Sequence, residues 1–434
     1  MSLTSDSRRP LPLYRILLIA ALQVGSSFFS FMCLIVVVPT QLAAIAGDAH
    51  KGSAVGLVLG VSGVLSLLIA PLIGSLSDLS RMSYPRGVRL GRRAPLLLLG
   101  AVVTSIAVAA MLYAQTVAWY LIIYAFVTLG SLLQTVPYNG LIADTVPLAS
   151  RGVASGVVGA AGHTGNLLGA AVSLRIGVSE RGTLAVLIGG VLIATTCLTA
   201  AAVREPPPPP HSARRPSVGL RVLAWGFVEP LVRHHDFRWV FLTRLLMQQG
   251  IYTVQEFLLY YFQDMVVRPE GTSASQAVGL AMVLLIAGAL PAALAGGVLT
   301  DRLGRKRLVY VSGVVMMCCA TIAAFNTSYP RALVNTGIFG IGFGTFLAVD
   351  YAMVLDVLPS AATAAKDMAV WHAALVLPQL LATPVAGGLL DYFRRVGMAS
   401  TPQQPYLGYQ VVFLLAASYF AVGTLLVRKI RKIK

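Results

Sequence analysis

Charge is what this sequence has least of. Charged residues make up 11% of its 434 positions, against roughly 25% in a soluble domain. So little charge cannot coat a water-facing surface, and the solvent must be lipid. Acidic residues are scarcer still, 16 against 33 Lys and Arg. Cysteine is rare: Cys33, Cys197, Cys318 and Cys319 lie inside apolar runs. That excludes a disulfide scaffold or a cysteine-rich zinc site. No Gly-x-x-x-x-Gly-Lys-Ser/Thr loop is present, and no polar stretch has the size of a nucleotide-binding domain, which excludes ATP-driven pumping. No Cys/His pair, Ser/His pair or metal-ligand cluster shares a face, so no enzyme, metal or cofactor is expected.

Apolar residues are plentiful, at 57% with a mean hydropathy of +0.78. A helix needs about 20 largely apolar residues to cross a bilayer. Twelve such runs can be cut, at roughly 14–45, 54–77, 94–114, 118–142, 152–174, 183–203, 238–263, 276–299, 307–326, 332–357, 368–390 and 408–427. The first is long and holds Pro39, where a kink is expected. A net charge of +17 would suggest nucleic acid in a soluble chain. Here the cations follow topology instead. With the N-terminus inside, the inside segments hold 25 Lys and Arg and the outside segments 7, with Arg244 left over within a run. This bias puts both termini in the cytoplasm. The basic tail Arg428–Lys434 suits acidic lipid headgroups.

Residues 204–237 form the one long loop, and Pro206 to Pro210 within it favour extended geometry over a packed core. The loop divides the chain into residues 1–203, a linker 204–237 and residues 238–434, with six runs on each side. The two halves match. Gly74-x-Leu76-x-Asp78 leaves the second run and Gly297-x-Leu299-x-Asp301 the eighth. Asp144-x-x-Pro147 ends the fourth and Asp356-x-x-Pro359 the tenth. These aspartate pairs are 223 and 212 residues apart. An insertion between Asp78 and Gly91-Arg92-Arg93, relative to Asp301 and Gly304-Arg305-Lys306, accounts for nearly all of the difference.

Gly297-x-Leu299-x-Asp301-Arg302-x-Gly304-Arg305-Lys306 resembles the signature loop of the major facilitator superfamily. The segment Ser77-Asp78-x-Ser80-Arg81, followed by Gly91-Arg92-Arg93-Ala94-Pro95, resembles the loop of the sucrose-symporter and glycoside-pentoside-hexuronide branches, with a longer insertion. The resemblance implies an all-α membrane protein of twelve transmembrane helices in two pseudo-symmetric six-helix bundles, with a solute site near the midplane. It implies gating by Asp78, Arg92, Arg93, Asp144 and Arg151, and by Asp301, Arg302, Arg305, Lys306 and Asp356. Plain topology charges are the alternative reading of the same residues.

Ionisable groups inside spans cost about 2.5–3.5 kcal/mol each on insertion scales, so the few present carry information. Arg244 lies six residues beyond Arg238 and Asp350 six before Asp356, on runs of opposite direction. Each is ~9 Å from the same end, so a facing pair is expected. Arg244, Gln248, Tyr252, Gln255 and Glu256 fall on one helical face. In this superfamily helices 1, 4, 7 and 10 line the cavity. A solute-binding set then includes that face, Phe343 and Phe346 from the tenth run, Gln23 and Ser27 from the first, and Gln134, Tyr138 and Asn139 from the fourth. Packing is the alternative for the aromatics, and helix–helix hydrogen bonding for the neutral polar residues. Asp350 and Glu256, with Arg244, are the proton-coupling candidates. His163 and His372 stay ambiguous.

These readings converge on secondary active transport of a small organic solute by alternating access, with a proton as co-substrate and sugar-like chemistry favoured. The protein is expected as a monomer in the cell membrane. Proton-driven efflux is the rival within transport, although the fifth run lacks the Gly-Pro-x-x-Gly-Gly stretch of drug–proton antiporters. A non-transporting receptor or scaffold is the rival class, and it would not need Arg244, Glu256 and Asp350. The topology has a direct check. In intact cells an impermeant thiol reagent should label a cysteine placed at Thr272 and not one at Ser83; the reverse pattern would invert the assignment.

Overall fold

In lipid every backbone N–H and C=O must find its partner within its own segment, which leaves helices as the economical solution. The computed structural model describes residues 11–79, 93–147, 150–202, 228–357 and 364–432. Among these, twelve long helices follow one another: α1 (Leu13–Ala46), α2 (Lys51–Leu79), α3 (Ala94–Met111), α4 (Val117–Thr145), α5 (Arg151–Ser173) and α6 (Arg181–Ala202). The second series is α7 (His235–Tyr260), α8 (Ala274–Leu303), α9 (Arg305–Phe325), α10 (Tyr329–Val357), α11 (Ala364–Ala399) and α12 (Leu407–Leu426). Each apolar run read from the sequence falls on one of them.

Ten of the twelve are long and apolar enough to cross a membrane. The other two, α5 and α7, are weaker for different reasons. Glycine dilutes α5, and a polar face dilutes α7. Burial explains how α7 is tolerated: 16 of its 26 residues are covered by protein, so its polar groups need not meet lipid. Elsewhere large apolar side chains such as Leu72, Val186 and Leu294 lie exposed, the surface a multi-pass membrane protein offers to acyl chains. Within α1 the turn ahead of Pro39 is a π-helical segment, Phe31–Val37. Proline offers no N–H to the carbonyl four residues back, and the wider turn accommodates that loss.

The chain groups into two compact units, Met1–Ala46 with Val61–Ser212, and Gly47–Gly60 with Ala213–Lys434. The loop cut expected at 204–237 assigns residues 47–60 to the first half, whereas their contacts assign them to the second. In the first unit α1 packs on α5 and α6, and α3 on α4 and α6. In the second, α7 packs on α11 and α12, and α9 on α10 and α12. The pattern is the same with every helix number raised by six, which is the structural mark of duplication. It holds for single contacts too. Gly25 of α1 lies against Thr195 of α6, and Gly250 of α7 against Phe420 of α12, both pairs offset by 225 residues.

Small residues set the helix spacing, as expected where lipid removes the hydrophobic drive between helices. In the second unit α8 and α10 meet along Gly288, Ala289, Gly340 and Gly344. A Cβ at Gly340 would lie 2.1 Å from the Leu285 carbonyl oxygen, whereas one at Gly337 would have 3.8 Å. Gly340→Ala should therefore lower the melting temperature of the purified protein, the clash costing about 1–3 kcal/mol. Gly337→Ala should leave it unchanged or raised, since alanine is the better helix former. Equal melting of the two variants would contradict this packing.

Candidate functional site

The polar face of α7 carries two ionisable groups, Arg244 and Glu256, that are buried in the second unit. Its Arg244 is 6% exposed and Asp350 of α10 is 1% exposed. The two form a direct ion pair, so the sequence expectation of matching depth corresponds to a real contact. The guanidinium carbon also lies 3.7 Å from the ring centroid of Trp371 on α11, a cation–π contact. Arginine suits this position because its flat, weakly hydrated group can stack and pair at once. Its Nε and the Oδ1 of Asp350 have no hydrogen-bond partner among the described residues.

Two turns further along α7, the Tyr252 hydroxyl accepts a hydrogen bond of 2.5 Å from Gln379 of α11. Gln248 is buried and Gln255 half-buried. Glu256 is 5% exposed, and its Oε2 has no partner among the described residues. The wall thus combines a neutralised ion pair, a tyrosine–glutamine bond, two further amides and one isolated carboxylate. It can offer several hydrogen bonds and one proton-accepting group.

Other expected residues fall elsewhere. Phe346 is fully buried in the hydrophobic cluster of the second unit, with Phe343 packed against it and Phe339 edge-on to Phe420 at 5.9 Å. Phe346 thus has no exposed surface, while Phe343 is half-buried. In the first unit Gln134 is buried and donates to Thr196 of α6 at 2.7 Å. Tyr138 is buried and donates to the Ile19 carbonyl at 3.0 Å. Each makes a helix–helix hydrogen bond, which is the alternative the sequence left open for these neutral polar residues. Gln23 donates to Ser27 at 3.1 Å one turn along α1; both are half-buried, and Asn139 is exposed.

Of the gate set, Arg305 forms an ion pair with Asp356 and donates to the Ala352 carbonyl, joining α9 to α10. Lys306 beside it is half-buried. Arg93 is buried at the start of α3, its guanidinium filling the place where Gly140 has no Cβ. The side chains of Asp78, Asp144, Arg151, Asp301 and Arg302, and the whole of Arg92, lie outside the described residues. His372 is helical but its side chain is likewise outside them; His163 is half-buried. Sequence reasoning missed Trp371 and Gln379. They share α11 at a spacing of eight, a helical face, but two polar-tipped residues in an apolar run carry little signal alone.

Duplication gives the ion pair its meaning. The 225-residue offset places Ile19 at the position of Arg244, and the 212-residue offset places Tyr138 at that of Asp350. The same cross-helix link is therefore made twice. In the first unit it is a neutral hydrogen bond from tyrosine to a backbone carbonyl; in the second it is a buried ion pair.

Comparison with known proteins agrees with this architecture. The chain belongs to the MFS/sugar transport protein family, whose sequence profile matches residues 51–428. It is a secondary transporter for a small-molecule solute and not an enzyme. Its fold is that of a bacterial homologue of the human lysosomal transporter Spinster, in an inward-facing and unoccupied conformation. The match has a TM-score of 0.72 at 18% identity and covers 96% of this chain and 98% of that one. The nucleoside transporter NupG is similar at a TM-score of 0.70 and 13% identity, covering 97% and 100%. No curated protein sequence matches the chain.

Removing one partner of a buried pair strands the other. Asp350→Asn should destabilise the protein by about 3–5 kcal/mol, and adding Arg244→Gln should recover much of that loss. Thermal melting in detergent measures both. A double variant that melts no higher than the worse single variant would refute the pairing.

Proposed function

We propose that this protein is a proton-coupled symporter for a neutral, hydroxylated solute such as a sugar, working by alternating access in the cell membrane as a monomer with both termini cytoplasmic. The observation that carries the proposal is the polar wall of α7, with the Arg244–Asp350 pair at one end and Glu256 at the other. Arg244 is already matched by Asp350 and covered by Trp371, so the wall has no cation to spare for an anionic solute. Its amides and its tyrosine favour hydroxyl groups. The family's description as sugar transport supports the same class. Gln23, Ser27 and Asn139 are the first-unit groups we assign to the solute, and Asp78 and Asp301 remain assigned to the gates.

Glu256 supports the coupling ion. Ionised and without a partner, it would be an uncompensated buried charge, and taking a proton removes that charge. Asp350 offers a second carrier: its charge is compensated while Arg244 faces it and uncompensated if the pair parts. Either carboxylate would then link solute movement to proton movement.

The proposal is tested in proteoliposomes with an imposed pH gradient, using a solute first found by its stabilisation of the purified protein in a library melting screen. Glu256→Gln or Asp350→Asn should abolish accumulation against a gradient while exchange between equal solute pools survives. A neutral amide cannot change its proton count, but it does not prevent a solute-loaded carrier from changing conformation. Undiminished gradient-driven accumulation in both variants would refute proton coupling through these residues and favour a uniporter.

A further inference from the structure

The basic segment after α12 exposes four cations, Arg428, Lys429, Arg431 and Lys432. Cations that only fix topology need a side of the membrane and no fixed place on it. These have a fixed place. Val427 and Ile430, interspersed with them, are buried in the hydrophobic cluster of the second unit. Asp236, in the first turn of α7, accepts from the Arg431 N–H at 2.7 Å and from the Lys432 N–H at 3.2 Å.

Asp236 is itself oriented. The Trp239 indole N–H donates to Nε2 of His235 at 3.1 Å, which leaves the imidazole proton on Nδ1, 3.2 Å from the Asp236 carboxylate. The carboxylate is thus committed to two backbone N–H groups and this ring. Among the described residues none of the four exposed cations forms an ion pair. Arg238 of α7 adds a fifth cation at this end, its guanidinium carbon 5.6 Å from the Trp239 ring centroid. Ordering like charges on one short segment costs rotamer freedom and repulsion. An anion lying among them offsets both.

The repeat shows that the fold does not demand this anchor. At the 225-residue offset the first unit has Leu11 in place of Asp236, and Arg204-Glu205-Pro206 in place of Lys429-Ile430-Arg431. The carboxylate and the buried isoleucine are both missing there, and proline has no N–H to donate.

The neighbouring surface selects the kind of anion. Val422 and Leu425 of α12 are exposed and precede Arg428 at steps of three, so the lipid-facing side of α12 runs into that arginine. Val228 and Val232, in the helical residues 228–233, are exposed too, while Leu231 between them packs on the cluster that holds Ile430. Trp239 is half-buried, an aromatic of the type enriched at membrane interfaces. A ligand with an anionic head and apolar tails matches all of these groups. A soluble anion would engage the cations alone.

We propose that the segment after α12 is a binding site for the headgroup of an anionic phospholipid such as phosphatidylglycerol. Arg428, Lys429, Arg431 and Lys432 bind the phosphate, and Asp236 is the residue that positions them. The proposal rests on the multi-pass membrane fold and needs neither the solute nor proton coupling to be right.

The test measures binding of a fluorescent phosphatidylglycerol to the purified full chain in detergent mixed with phosphatidylcholine. Arg431→Gln combined with Lys432→Gln should weaken binding about 25-fold at low salt, about five-fold for each cation. Asp236→Asn separates an anchored site from a loose basic tail. It makes the chain more basic, so a loose tail would bind the lipid as tightly or more tightly. An anchored site needs its backbone held, and binding should weaken about five-fold, the loss of one well-placed cation. Ile430→Ala loosens the same segment without changing charge and should weaken binding alike. Unchanged or tighter binding in Asp236→Asn and Ile430→Ala, or unchanged binding in the double glutamine variant, would overturn the site. Inorganic phosphate should displace no more lipid than chloride at equal ionic strength; full displacement would reassign the cations to a soluble anion and overturn the lipid.

Discussion

An arginine and a carboxylate buried together in the second unit constrain the rest of this protein. Neither Arg244 nor Asp350 can stand alone at that depth, because a single uncompensated charge costs several kcal/mol. The pair requires α7 and α10 to keep their depth relative to each other, and Trp371 adds α11 through its ring face. Three helices are thereby tied at one place, and the polar face of α7 is committed to the interior. That commitment explains why α7 falls short of a membrane-spanning composition and is nevertheless accommodated.

Around this point the architecture is that of a duplicated bundle. The helix pairings of the first unit recur in the second, and glycines set the spacing in both. Duplication makes the departures informative. At the place of the Arg244–Asp350 pair the first unit has a Tyr138–Ile19 hydrogen bond, which satisfies the fold without charge. At the start of α8 there is a local capping box where α2 takes its cap from α11. Both departures exceed what packing needs, since the equivalent place in the other half is satisfied without them. The account of function rests on the first of these asymmetries more than on the fold itself.

The spans, the six-plus-six division and the ion pair were legible in the sequence because each has a periodic or paired signal. Lipid forces long apolar runs, and a charge within such a run stands out. The aromatic stripe of α10 and the amide of Gln134 were only half legible, since helical spacing identifies a face without saying whether solute or another helix covers it. A cluster around the buried Lys51 in the second unit, with Asp264 and Asp391, was illegible for a different reason. All three residues sit at the ends of apolar runs, where charges are routine, and the bonds joining them span more than 200 residues. Nothing local in the chain separates a buried lysine there from a solvated one.

The central claim is that the second-unit ion pair serves transport and that the fold can do without it. Arg244→Ile combined with Asp350→Tyr copies the first-unit link into the second unit and tests this directly. The measurement is melting temperature together with gradient-driven solute uptake into proteoliposomes. The account predicts a folded protein that melts near the parent and takes up no solute. Uptake at the parent rate would contradict it, and so would failure of the variant to fold.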